Sequence, residues 1–143
     1  MKIFFIPKSK KGFSLIEILI VITIIGILSA ISVPAYLTYR NKAKVAQSLS
    51  FAHTIKTKIA IMMDNGTSPS SINVANGGNL SNETLPLEFS IDAGSIIITN
   101  AGGVANANLD FELQDQGNGR YLWICKPGIG ANTTYLPSSC QSP

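Results

Sequence analysis

The sequence predicts an α+β protein: a long N-terminal α-helix packed on an antiparallel β-meander, with a cysteine-bounded C-terminal loop. Three observations predict it. Residues 13–36 form a run of twenty-four almost wholly apolar residues with a single charge, Glu17. Past that run, Val45, Leu49, Ala52, Ile55, Ile59 and Met62 recur at spacings of three and four, which is one face of an amphipathic helix. From residue 87 onward the chain breaks into short alternating segments separated by Gly-containing turns, the pattern of antiparallel strands.

Composition bounds the rest. At 143 residues the chain allows one modest core once the apolar run is set aside. The formal charge of +3 is misleading, because four of the eleven basic residues, Lys2, Lys8, Lys10 and Lys11, precede Phe13. The remainder carries seven basic residues against eight acidic ones, so DNA is a partner that bulk charge does not support. The two cysteines, Cys125 and Cys140, read as one disulfide in an exported chain and as two thiols in a cytosolic one.

Taken in order, residues 1–12 are a short basic leader that ends in KKG directly against the apolar run. A run of about 20 apolar residues suffices to cross a bilayer as a helix. An ordinary signal peptide would instead be cut after the run, near Leu28-Ser29-Ala30. Its apolar region is only about 7 to 15 residues long and seldom contains a carboxylate. Glu17 is the anomaly: a carboxylate deep in lipid costs about 3 kcal/mol, and such residues are functional by default. No residue around it in the run carries a charge to pair with it. The bland alternative is that Glu17 snorkels to the interface from a helix end, a task for which the longer stems of Lys and Arg are better suited.

KKG followed by FSLIE resembles the leader and mature start of type IV prepilins. The resemblance implies that Gly12 is the last leader residue and Phe13 the first mature one. A prepilin peptidase would cut between them on the cytoplasmic face and methylate the new N-terminus. It implies an assembly role for Glu17, which would meet the N-terminal amine of a neighbouring subunit. At a helix start the same carboxylate also faces free amide groups and the positive end of the dipole, worth about 0.3 to 1 kcal/mol. Pro34 lacks an amide hydrogen and should bend the helix or loosen its ladder, and prolines at this place recur in type IV pilins. Gly26, Ser29 and Ala30 are small enough for close helix contact. Ordinary membrane-helix composition accounts for these residues as well.

The amphipathic stretch 37–64 belongs to a head and should stop at Asn65-Gly66, with Pro69 following. His53 lies at the edge of its apolar face with no second ligand near it in the sequence. Residues 65–86 read as a connecting loop with little regular structure. The N-x-[ST] triplets at Asn65, Asn82 and Asn132 are attributed to chance in so Asn- and Thr-rich a chain. Strands are expected at 87–92 and 95–100 about Ala93-Gly94, at 109–114, and at 120–126 after a turn at 116–119. They need one apolar face covered, and the amphipathic half of the helix is the cover. The pattern Trp123-x-Cys125, then Tyr135-Leu-Pro-x-x-Cys140, resembles the disulfide-bounded C-terminal region of type IVa pilins. It implies a Cys125–Cys140 bond, which would close a loop worth about 3 kcal/mol.

No Gly-rich phosphate loop, metal-ligand cluster or nucleophile-base pairing is visible, and there is one histidine, so neither an enzyme nor a cofactor is expected. Asp110 and Glu112 share one face of a strand, read as solvated. The resemblance implies a structural subunit of a type IV pilus. Its precursor would lie in the inner membrane with the head outside the cytoplasm, among lipid and the membrane assembly machinery. It would then polymerise with copies of itself into a surface fibre for adhesion, twitching motility or DNA uptake. Two alternatives share the N-terminal motif: a pseudopilin of type II secretion and a minor pilin. Pseudopilins often use a calcium site where this chain has cysteines, and minor pilins often lack the glutamate. An alternative of another class is a single-pass membrane-anchored binding module, for which Glu17→Leu would be harmless.

Overall fold

The computed structural model describes residues 12–141. The basic leader expected at residues 1–12 therefore lies outside the described residues except for Gly12. One helix, α1, runs from Leu15–Asp64. The chain forms two compact units divided between Tyr36 and Leu37. The first consists, among the described residues, of Gly12 to Ser14 and the helix as far as Tyr36.

The second unit begins with the rest of α1 and continues through six strands. These are β1 Asn79–Leu80, β2 Glu83–Thr84, β3 Phe89–Asp92, β4 Ser95–Ile98, β5 Leu109–Asp115 and β6 Tyr121–Pro127. β3 to β6 form one sheet in chain order, with every neighbouring pair antiparallel, which is the expected meander. The register puts Phe89 opposite Ile98, Ile91 opposite Ile96, Ile96 opposite Phe111 and Ile98 opposite Leu109. All six of these side chains are buried, so the period-two pattern delivers one continuous apolar face. Val45, Ala52, Ile55 and Ile59 of α1 complete the same cluster, with Leu49 and Met62 partly buried at its margin.

Helix α1 ends where the sequence asks it to. Gly66 adopts φ +87°, a left-handed position that suits glycine. Its amide donates to Met63 O at 2.9 Å, while the Thr67 amide donates to Met62 O at 3.0 Å. That pair of bonds is a Schellman termination. The β3–β4 turn likewise follows the sequence, with Ala93 and Gly94 both at positive φ, as a two-residue primed turn requires.

Four expectations need correction. Residues 65–86 are not without regular structure: they hold a 3-10 turn at Pro69–Ser71, and β1 pairs with β2 through Ser81-Asn82, both at positive φ. The Lys58 ammonium pairs with Glu83 and ties this small hairpin to the helix. Strand β3 starts at Phe89 rather than residue 87, because the Phe89 amide turns back to Pro86 O at 2.9 Å and Leu87 is left exposed. Strand β4 stops at Ile98, since Asn100 takes a left-handed conformation that leaves the ladder. Finally, the buried stripe of the helix is Val45, Ser48, Ala52, Ile55 and Ile59, so Ser48 occupies a place expected for an apolar residue.

The C-terminal region is pinned by a Cys125–Cys140 disulfide, Cα atoms 4.8 Å apart. Cys140 and Leu136 are buried, and past the end of β6 at Pro127 the segment up to Cys140 contains only 3-10 turns.

Candidate functional site

The residues singled out for processing and assembly all lie on the first unit. Gly12, Phe13 and Ser14 precede the helix, and each is exposed. Ser14 is the capping residue: its carbonyl accepts the Glu17 amide at 3.1 Å and the Ile18 amide at 3.4 Å. The Glu17 carboxylate answers by accepting the Ser14 amide on Oε2 at 3.2 Å. Glu17 therefore has a partner that a search for neighbouring charges cannot find, the backbone at its own helix start. The signal is present in the sequence as Ser14-x-x-Glu17, the spacing of a capping box. Oε1 of Glu17 makes no hydrogen bond within the described residues.

The helix that follows this cap is apolar and uncovered. Leu15, Ile18, Ile22, Ile25, Leu28 and Ile31 are each half or more exposed, and the strongly apolar stretch buries none of its residues. It is the one helix among the described residues long and apolar enough to cross a membrane. Two of its hydroxyls turn inward to the helix backbone: Thr23 Oγ1 donates to Ile20 O at 2.7 Å and Ser32 Oγ donates to Leu28 O. Side chains satisfied in this way add little polarity to the outer surface. Pro34 lies inside α1, which continues through it.

The second unit holds its polar groups differently. Ser48 Oγ donates to Glu88 Oε1 at 2.6 Å, and the Gly102 amide donates to Oε2 of the same carboxylate at 3.0 Å. One side chain thereby joins the helix to the loop after β4. Gly102 sits at φ +62°, and a Cβ there would lie 2.6 Å from Lys44 O, so the loop approaches the helix backbone as only glycine allows. The Lys56 ammonium lies 3.6 Å from the centre of the Phe111 ring and 5.5 Å from that of Trp123, a cation–π arrangement. Burial pushes its pKa below the usual lysine range.

Asp110 and Glu112 share a face of β5 as expected, but that face is half-buried rather than freely solvated. Glu112 pairs with Lys126, and burial pushes the Asp110 carboxyl above the usual carboxylate range. His53 is exposed, and no group of three His, Cys, Asp or Glu gathers as a metal site among the described residues. A groove of about 540 Å³ in the head lies between the end of α1, Leu113, Tyr121 and Trp123, and carries one carboxylate, Asp64.

Residues 7–33 match the model of the prokaryotic N-terminal methylation motif, and residues 41–141 match that of the pilin of bacterial filaments. The chain is similar to fimbrial protein EcpC of Eikenella corrodens, 32% identical over 93% of this chain and 92% of the relative. It is 34% identical to the type IV major fimbrial protein FimA of Dichelobacter nodosus over 77% of this chain and 63% of that protein. A fimbrial protein of Moraxella nonliquefaciens is 48% identical over 41% of this chain and 38% of its own length. The chain thus spans less than two thirds of the Moraxella and Dichelobacter proteins. No solved structure matches it.

Proposed function

The chain belongs to the pilin family of bacterial filaments, and from that membership we propose that it is a major structural subunit of a type IV pilus. In this reading prepilin peptidase removes the leader after Gly12 and methylates the amine of Phe13. The subunit waits in the inner membrane with residues 13–36 across the bilayer and its head on the far side. The assembly machinery then transfers it into a fibre.

The observation that carries the reading is the uncovered apolar half of α1 with a methylation motif at its head. That much apolar surface needs a solvent other than water, first lipid and then the same half of neighbouring copies. Heterologous contacts between identical subunits do not close, so one subunit type is enough for a filament.

Glu17 has two tasks in this account. Oε2 caps its own helix through Ser14, and Oε1 is left to receive the methylated amine of the next copy. The cap offsets part of the cost of the carboxylate while it waits in lipid, and the added amine gives a charge-assisted bond in the dry fibre core. Pro34 removes one backbone donor from the helix, which lowers the cost of local adjustment where subunits pack. The disulfide requires an oxidising compartment, in keeping with a head outside the cytoplasm. Such fibres serve adhesion, twitching motility or DNA uptake, and bulk charge gives the last no support.

The test is electron microscopy of surface filaments from cells with and without the gene, with N-terminal sequencing of the sheared material. Filaments that vanish with the gene and begin at methylated Phe13 support the reading. Mature protein that begins after Ala30, with the apolar run discarded, overturns it.

A further inference from the structure

Just past the apolar run, α1 carries Arg40, Lys42 and Lys44 within five residues, and no acidic residue occurs between Glu17 and Asp64. Arg40 and Lys42 are exposed and Lys44 is half-buried. The ion pairs among the described residues are Lys58–Glu83 and Lys126–Glu112, so no described carboxylate pairs with any of these three cations. After Lys44 the balance reverses, to four basic residues against seven acidic ones. Tyr39, 72% exposed, stands beside them. At 3.6 residues per turn, Tyr39 points away from the buried stripe that begins at Val45, with Arg40 and Lys42 on either side of it.

We propose that this collar binds anionic phospholipid headgroups on the bilayer face from which the head emerges. The proposal rests on reading residues 13–36 as the membrane-spanning stretch. Arg40 to Lys44 occupy about 6 Å along the helix, close to the depth of one headgroup layer. A tyrosine flanked by long cationic stems is the composition of a membrane–water boundary, where apolar stems lie against acyl chains and charges reach the phosphates. Duplex DNA offers the same phosphates, but a polyanion laid on the collar would also meet the acidic surplus of the head. A lipid headgroup needs only the collar.

The collar also marks a step in assembly. A subunit leaving the bilayer must exchange its headgroups for water or for another chain, and each cation near an anionic surface holds it about fivefold more tightly. Release should therefore be easier at high salt, where the screening length falls to about 3 Å.

The experiment uses the full-length protein in phosphatidylcholine vesicles that contain spin-labelled phosphatidylglycerol or spin-labelled phosphatidylcholine. The motionally restricted fraction of each label measures lipid selectivity at the protein surface. The wild type should prefer phosphatidylglycerol several-fold and lose the preference at about 1 M salt. Arg40→Gln with Lys42→Gln, two exposed positions, should bring the ratio close to one. Arg40→Glu with Lys42→Glu should reverse it, while Lys126→Gln in the head should leave it unchanged. Equal selectivity in the wild type, or a preference that survives both double variants, overturns the proposal. So does a Gln variant that keeps its lipid preference but no longer retains a duplex DNA fragment. Absence of any restricted lipid means the span is not in the bilayer, which overturns the membrane reading itself and is distinguishable from loss of selectivity alone.

Discussion

The two units solve the same problem in opposite ways. In the head, the apolar side chains of α1 and four strands cover one another, and Ser48, Glu88 and Gly102 satisfy each other's polar groups. In the first unit, no residue of the apolar stretch is buried, and its polar groups are met locally: a cap at Glu17, and the hydroxyls of Thr23 and Ser32 folded onto their own helix. The head is stable by its own contacts. The apolar half of the helix has no such cover among the described residues, and on the proposed function this difference separates what folds from what assembles.

Substitutions sharpen the contrast. Phe89 is fully buried and packs edge-on to Phe51 with ring centres 5.1 Å apart. Phe89→Ala should cost the head about 3 to 5 kcal/mol, read as a lower urea midpoint by the fluorescence of Trp123. Ile24, 51% exposed, belongs to the other unit. Ile24→Ala should leave that midpoint in place and reduce filament yield instead. An equal loss of head stability from both substitutions would break the comparison.

The next largest effect is expected from the disulfide. Cys125→Ser with Cys140→Ser should destabilise the head by about 3 kcal/mol, because the open chain regains the entropy of a loop of this length. The same urea titration measures it, and treatment of the wild type with reductant should reproduce the shift. Glu88→Ala comes third. It strands the Ser48 hydroxyl and the Gly102 amide in a partly buried site, at about 1 to 3 kcal/mol. The smallest effect belongs to Lys126→Gln, which breaks a partly exposed pair with Glu112 and should cost less than about 1 kcal/mol. That loss should shrink further as salt is added.

What the sequence made legible was local. The helix stop at Gly66 and the turn at Ala93-Gly94 depend on residues adjacent in the chain, and both stand where their chemistry puts them. The meander followed because its strands alternate and two of its three connections are short, the ten-residue loop from β4 to β5 being the exception. The small hairpin of β1 and β2 escaped because two-residue strands of Asn, Leu, Glu and Thr carry no periodic signal. Ser48 escaped for a different reason. A serine enters the core only because Glu88 waits for it forty positions away, and no local pattern reports so distant a partner.

The candidate site divides along the same line. The motif at Gly12, Phe13 and Glu17 was legible from its spacing and family resemblance, and so were the free amides that Glu17 faces at a helix start, but not that Ser14 is the one it binds. A charged residue in an apolar run draws attention to other charges, and a backbone amide three residues upstream is not one. The cap alters what Glu17 must be asked to do, since the side chain holds its own helix start whether or not a neighbour is present. The cationic residues Arg40, Lys42 and Lys44 stand in the sequence, but that none of them pairs with a carboxylate among the described residues required the fold.

The most direct test of the central claim, that the uncovered helix half is an assembly surface registered by Glu17, is to replace that residue with leucine and follow two products. N-terminal sequencing of the membrane-bound protein reports cleavage after Gly12, and electron microscopy reports fibres. The account predicts that Glu17→Leu is cleaved as the wild type is, inserts in the membrane at least as well, and yields no filaments. Abundant filaments of normal appearance from the leucine variant would contradict it and leave the apolar half of the helix as a tether.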